Sequence, residues 1–254
     1  MPTKRTMILT AAKSVLAVLV FSILTTISAF ADSLTGNYFV LPVGHPDTER
    51  SIDGVVLGLV NSTLGPDGFP VVSLFGQSAG TASHPITDVN ASNEILWWTA
   101  GQDGVVAWKT EVDTLPIVNS YLFPFGSGCN GGCGGGYVAA YWTGTFNLPS
   151  PGTVTFGLGS DDDAWVFVDG QLQVDNGGIH GMSYTPYVTT PLSAGSHSVD
   201  LFFADRHTVA SGIDFSASVE LSPVPAVPEP STLMLLGTGL LGLSGAIRRR
   251  LRRG

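Results

Sequence analysis

Between Gly159 and Gly181 the chain reads GSDDDAWVFVDGQLQVDNGGIHG, its densest gathering of side chains able to do chemistry. Asp161, Asp162 and Asp163 precede an apolar run, Ala164 to Val168; Asp169-Gly170 follows, then Gln171 to Val174, then Asp175-Asn176-Gly177-Gly178. Asp-Gly is a favoured two-residue hairpin turn because both positions take positive φ. The spacing therefore predicts a hairpin whose acidic entry lies beside its Asp-Asn-Gly-Gly exit. Five oxygen-bearing side chains and a glycine backbone would converge there.

Crowded carboxylates repel, and a hard divalent cation relieves the repulsion directly. Calcium suits this donor set: no Cys or His lies among the acids, which argues against zinc and copper, and calcium accepts amide and carbonyl oxygens as well as carboxylates. The candidate ligands are Asp161, Asp162, Asp163, Asp175 and Asn176. Neighbouring residues of a strand face opposite ways, so Asp161 and Asp162 can share one ion only if the backbone between them leaves the extended form; a cis peptide is one route. A solvated acidic turn that binds nothing accounts for the same residues. Hydrolysis of a glycosidic bond needs two carboxyls about 5–9.5 Å apart, whereas an adjacent pair suits a single ion. With no nucleophile elbow, zinc-helix motif or phosphate loop in the sequence, the protein is expected not to be an enzyme.

The run SDDDAWVFVDGQLQVDNGGIHG, with LFFADRHTVASGIDF at Leu201 to Phe215, resembles the fibro-slime domain, a branch of the β-sandwich first named in anthrax protective antigen. That family includes the sugar-binding heads of yeast flocculins. TGNYF at Thr35 to Phe39 and YWTGTFNLPSPGTVTFGLGSDDD at Tyr141 to Asp163 fit its opening strand and its aromatic-Gly strand pair. In lectin-like members, paired aspartates joined by a cis peptide hold a calcium ion that ligates sugar hydroxyls. The resemblance carries this over to Asp161 and Asp162, while Asp163 stands where many relatives have Gly. It also places Gly177, Gly178 and His180, and Asp205, Arg206 and His207, at positions that recur as GG-x-HG and acid-Arg-His, as contacts to ligand or as braces of the acidic loop. Arg206 is expected to pair with Asp205 or Asp175.

The ends of the sequence address an exported protein. Lys4, Arg5 and Lys13 flank an apolar run, Ser14 to Ile27, before Ala29-Phe30-Ala31, the pattern of a secretory signal peptide over residues 1–31 cut by signal peptidase. Near the other end, Pro228-Glu229-Pro230 leads into apolar Leu233 to Ile247 and then five arginines. Those 15 apolar residues fall short of the roughly 20 that a stable span wants, which suits a transient anchor. This arrangement resembles the PEP-CTERM sorting signal of Gram-negative bacteria, removed by an exosortase in organisms that make extracellular polysaccharide. The expected location is the cell surface or biofilm matrix, and the expected partner is an extracellular polysaccharide.

Once both ends are set aside, only Arg50, Lys109 and Arg206 remain against all 20 acids, a net charge of −17 between Asp32 and Glu229. So acidic a body repels nucleic acid and anionic membrane. Residues 32–222 suit one β-sandwich core, 223–230 a proline-rich spacer and 231–254 the sorting tail. Strands are expected at Val55–Val60, Val71–Phe75, Val105–Trp108, Tyr137–Trp142 and Val154–Leu158, and around the alternating series Ile213, Phe215, Ala217, Val219. Phe202 breaks the alternation of its strand. The fold class is all-β, an antiparallel β-sandwich. Cys129 and Cys133, the chain's two cysteines, lie in a glycine-rich loop and are expected to pair in an oxidising compartment.

Overall fold

The computed structural model describes residues 32–78, 84–131 and 134–224, where runs of Val, Ile, Phe, Tyr and Trp interrupted by Gly, Pro and Asp leave no long helical stretch and strands form instead. In chain order these are β1 (Ser33–Leu41), β2 (Val60–Leu64), β3 (Pro70–Val72), β4 (Val106–Thr114), β5 (Ile117–Asn119), β6 (Tyr137–Leu148), β7 (Thr155–Asp161), β8 (Asp163–Val168), β9 (Gln171–Asn176), β10 (Ser183–Val188), β11 (Gly195–Ala204), β12 (Gly212–Ala217) and β13 (Ser222–Pro223). A single helical turn, α1 (Leu74–Ser78), follows β3. The large sheet runs β3-β2-β9-β8-β11-β6-β1-β4 with β13 on β6, and the small one β10-β7-β12-β5; the strands pair antiparallel. The described strands belong to one compact unit, which ends at Pro223.

The sheets enclose one core, in which Trp142, Val166, Leu201 and Phe203 meet Phe156, Leu158, Ile213 and Phe215. A second core covers the opposite face of the large sheet, where Trp165, Phe167, Phe202 and Ala204 meet Val56, Ile95, Trp97 and Trp98 from the long connection between β1 and β4. This explains Phe202: a strand buried on both faces has no wet side, so its sequence loses the apolar-polar alternation. Trp98 sits 5.0 Å from Phe202, ring to ring.

Two expected strands are corrected. Val55–Leu59 is not a strand but a crossing segment held by Val56 N–H to Gly177 O at 2.7 Å, and pairing begins only at Val60. The Val71–Phe75 run stops pairing at Val72 and turns into α1, where Leu74 is exposed. The expected hairpin forms as β8 and β9, with Asp169 (φ 50°) and Gly170 (φ 71°) at the turn. The signal segment, Cys133, the Pro228-Glu229-Pro230 motif and the sorting tail lie outside the described residues. Among the described residues no helix is long and apolar enough to cross a membrane.

Register also positions the acids. Asp161 ends β7 opposite Gly212 of β12 in the small sheet, and Asp163 begins β8 opposite Ala204 of β11 in the large one. The chain thus changes sheets within one residue, Asp162. Beside it β9 passes to β10, and β11 to β12, so three sheet-to-sheet crossings lie together at one end of the sandwich.

Candidate carboxylate site at the sheet crossings

The Asp161–Asp162 peptide is cis. Asp162 fastens the three crossings together: Oδ1 accepts the His180 N–H at 2.8 Å, and Oδ2 accepts the Arg206 N–H at 2.8 Å and the His207 N–H at 2.9 Å. Asp205 stands beside it. Its Oδ1 accepts the His207 N–H at 3.3 Å, while its Oδ2 is buried with no hydrogen-bond partner. Asp161 accepts a backbone N–H from Met182 and feels the charges of His180 and His207.

Burial is the main influence on all three acids. It pushes Asp162 up to about 7, with the Asp163 and Asp161 charges adding and the backbone N–H donors of Arg206 and His180 opposing. Asp205 is raised well above the carboxylate range by burial and then by Asp162. Asp161 is raised by burial, against the pull of the two histidines. A cluster held this way favours either bound protons or a cation.

Asp163 belongs to a different environment. Its Oδ1 accepts the Gly178 N–H at 2.6 Å, and its Oδ2 pairs with Arg206 Nη1 at 3.3 Å. Arg206 therefore pairs with Asp163, and not with Asp205 or Asp175 as expected, because its side chain turns beneath the long connection. There Nε donates to Asp47 O at 2.8 Å and Nη2 to His84 O at 3.2 Å, and the guanidinium lies 5.2 Å from the Trp97 ring. The Asp47 carboxylate is saturated by Thr87 N–H and Oγ1, Asp88 N–H and Trp97 Nε1.

The hairpin exit braces more than it opens. Asp175 turns to the Trp165 face, accepting from Trp165 Nε1 at 3.0 Å, Gly177 N–H at 3.1 Å and Gly58 N–H at 2.7 Å. Asn176 turns the other way, to Ser160, Ser183 O and Thr185. Gly178 (φ 109°) lies so close to Gly54 O and Val56 N that a Cβ would not fit. His180 sets Nδ1 against Gly181 O and Nε2 against Asn176 O, and His207 sets Nδ1 against Arg50 O. The acids that remain together are Asp161, Asp162 and Asp205. The oxygens of Asp163, Asp175 and Asn176 already have partners, as do both of Asp162, of which Oδ1 takes a single backbone N–H.

Two residues here escaped sequence reasoning. Asp47 lies 159 positions from Arg206. Asn130 is the one residue between the cysteines that is not glycine, a signal that was present. Its amide donates to His207 O at 3.1 Å and Ala210 O at 2.7 Å, bracing the β11–β12 crossing from the disulfide-bonded Cys129 loop. Buried Asn130 Oδ1, Tyr137 OH and Ser211 Oγ, like Asp205 Oδ2, lack partners at this end of the sandwich. Such oxygens fit a hard cation and its water. Among the described residues, however, no three His, Cys, Asp or Glu side chains are placed to hold a metal ion, so carbonyl, amide or water oxygens would have to complete a shell around two carboxylates.

Comparison with known proteins matches residues 125–226 to the PA14 domain and residues 226–250 to the PEP-CTERM protein-sorting motif. The first match is to the domain as a whole, broader than its fibro-slime branch. Protein psiQ of Dictyostelium discoideum is 31% identical over 196 residues, covering 66% of this chain and 19% of that protein. The chain spans less than a fifth of the first curated relatives it matches. Among solved structures, a PA14 sugar-binding domain from an RTX adhesin aligns at 18% identity and TM-score 0.37 over 76% of this chain and 96% of that one. The epithelial adhesin 9 A domain of Candida glabrata, in complex with Galβ1-4GlcNAc, aligns at 10% identity and TM-score 0.36, over 80% and 87%. Asp161, Asp162 and Asp205 all lie within the first matched segment, so the half of the sandwich that carries the acid cluster matches the PA14 domain, and a PEP-CTERM protein-sorting motif follows it.

Proposed function

We propose that this is an exported, non-catalytic carbohydrate-binding protein of the cell surface or extracellular matrix, whose sandwich binds a polysaccharide through calcium held by Asp161 and Asp162. The observation that carries the reading is the bare, buried Oδ2 of Asp205 beside two further carboxylates at the sheet crossings. Asp205 would supply the neighbouring charge, and Asp162, fixed by three backbone N–H groups, would offer the ion its Oδ1, which takes only one of them. Bound calcium would supply open coordination positions for sugar hydroxyls. The sorting motif supports export, exosortase processing and a transient membrane stage, in keeping with a polysaccharide matrix or biofilm around a Gram-negative cell.

A second reading, a structural matrix protein with no bound sugar, is favoured by the lack of a ready three-residue metal cluster among the described residues. In it the acidic hairpin binds calcium for rigidity alone, or nothing at all. Calorimetric titration of calcium into the chelator-treated full chain tests the first reading. Binding in the micromolar to millimolar range, lost in Asp161→Asn/Asp162→Asn, is expected. No heat and no change in Tm would leave the structural reading.

A further inference from the structure

Beyond the acid cluster, the structure carries a second surface on the outer face of the small sheet. Along β7, Phe156, Leu158 and Ser160 point inward and are buried, so the period of two turns Gly157 and Gly159 to the outer face, and Asp161, the next position of that series, is buried at the sheet crossings. Register sets side chains on both flanks of the bare glycines: Tyr184, Gly159, Asp214 and Val118 form one row, and Pro186, Gly157 and Ser216 the next. The result is an open trough of about 420 Å³ floored by glycine.

Tyr184 is its main feature. Its hydroxyl donates to Asp214 Oδ2 at 2.8 Å, so the side chain must cross the middle strand from β10 to β12. Its ring rests on Gly159, where a Cβ would lie 2.5 Å from a ring carbon. The residue is nevertheless 65% exposed. A flat aromatic face, backed by glycine and pinned at its far end, is thus presented to solvent with its conformation already fixed. Asp214 Oδ1, behind the same wall, is buried with no hydrogen-bond partner.

We propose that this trough holds a neutral polysaccharide chain that continues along β7 to the Asp161 end. The proposal rests on the carbohydrate reading above and deepens it from a single sugar to an extended chain. Three observations select that occupant. A sugar ring offers both a C–H face for Tyr184 and hydroxyls for the polar edge that the Tyr184 hydroxyl makes with Asp214. The lining contains a carboxylate and no basic residue, and the body carries −17, so a polyanion or a second copy of this acidic chain meets like charge. The next residue of the same series after Gly159 is the buried Asp161, which puts the trough and the acid cluster on one strand, about 14 Å from Gly157 to Asp161 at about 3.4 Å per residue.

The test titrates neutral gluco- and galacto-oligosaccharides, from one to six sugar units, into the full chain with calcium present. Parallel titrations use Tyr184→Ala, Gly157→Val and Asp162→Asn. In the wild type, affinity for one series should rise with chain length. Tyr184→Ala should weaken the longest oligomer by about tenfold or more and leave monosaccharide binding unchanged, whereas Asp162→Asn should lose both. Gly157→Val, whose Cβ meets Ser216 Oγ at 2.6 Å, should reproduce the Tyr184→Ala result by filling the floor. Length-independent binding lost only in Asp162→Asn overturns the trough and leaves the calcium reading intact. Length-dependent binding that survives chelator but not Tyr184→Ala keeps the trough and removes the calcium reading. Equal length dependence in wild type and Tyr184→Ala, or a Tyr184→Ala effect confined to self-association by sedimentation, overturns the trough. Failure of every sugar to bind overturns both.

Discussion

Asp162 and Asp163 are adjacent, both buried and both hydrogen-bonded, yet one faces an open cluster of carboxylates and the other a closed ion pair. Asp163 meets a guanidinium whose remaining donors end on Asp47 O and His84 O, so charge and hydrogen bonds are balanced within the chain. Asp162 meets Asp161 and Asp205, and backbone N–H groups alone oppose the repulsion. The difference comes from one residue of chain crossing between two sheets. A closed site contributes to the fold, and an open one leaves work for a proton or a cation.

The largest expected effect tests the closed side. Arg206→Met leaves Asp163 as an uncompensated buried charge and should cost about 3–5 kcal/mol in denaturant unfolding. Asp163→Asn added to Arg206→Met should recover a good part of that loss, since no buried charge then remains there. If the double variant is as unstable as the single one, the pair is not what closes this side.

Much of this geography was legible beforehand, and the limits are physical. Asp169-Gly170 announced its hairpin because turn chemistry is local. The acid run marked the site because three carboxylates before an apolar strand need an explanation. Whether Arg206 would meet Asp163, Asp175 or Asp205 depended on the segment carrying Asp47, His84 and Trp97, whose packing leaves no periodic mark. That same segment, by covering the large sheet, erased the alternation in β8 and β11 and turned Val55–Leu59 into a crossing over Gly177 and Gly178. By residue type Trp97, Trp98, Trp142 and Tyr184 are equal candidates for a sugar-stacking face or for core, and only the packing separates them, burying the three tryptophans and leaving Tyr184 exposed.

On the open side the next effect is a pH dependence. Asp162 is raised from its usual range to about 7, so between the unfolded and folded values the native chain holds more protons than the unfolded one. Its stability should therefore be greatest below about pH 4 and fall as pH rises towards 7, by up to about 4 kcal/mol in chelator. Calcium should flatten the fall by stabilising the ionised form. Thermal melts at acid and neutral pH, with and without calcium, check it. A chelated chain that gains stability over this range would place Asp162 among the closed acids.

Asp205→Asn sharpens the same contrast with a smaller and opposite effect. Removing one of three crowded carboxyls, and offering an amide donor to Asp162, should raise neutral-pH stability in chelator by about 1 kcal/mol. The calcium response should weaken at the same time. Destabilisation in chelator would mean that the carboxyl of Asp205 is part of the fold.

Asp214 supplies the smallest effect and a third kind of carboxylate, neither crowded by acids nor paired with a base. Its side-chain donor is Tyr184, and that bond lies at the surface, where water replaces a lost hydroxyl at little cost. Tyr184→Phe should therefore change unfolding stability by less than about 0.5 kcal/mol. Tyr38 makes the same bond to Asp113 Oδ2 at 2.7 Å while only 4% exposed, so Tyr38→Phe should cost about 1 kcal/mol, with Trp142 Nε1 at 2.8 Å still holding the acid. Urea unfolding of the two variants side by side compares one chemical pair in two settings. Equal losses would make the Tyr184–Asp214 pair a strut of the small sheet; a loss confined to Tyr38→Phe leaves Tyr184 with an ordered, exposed ring that the fold does not need for its stability.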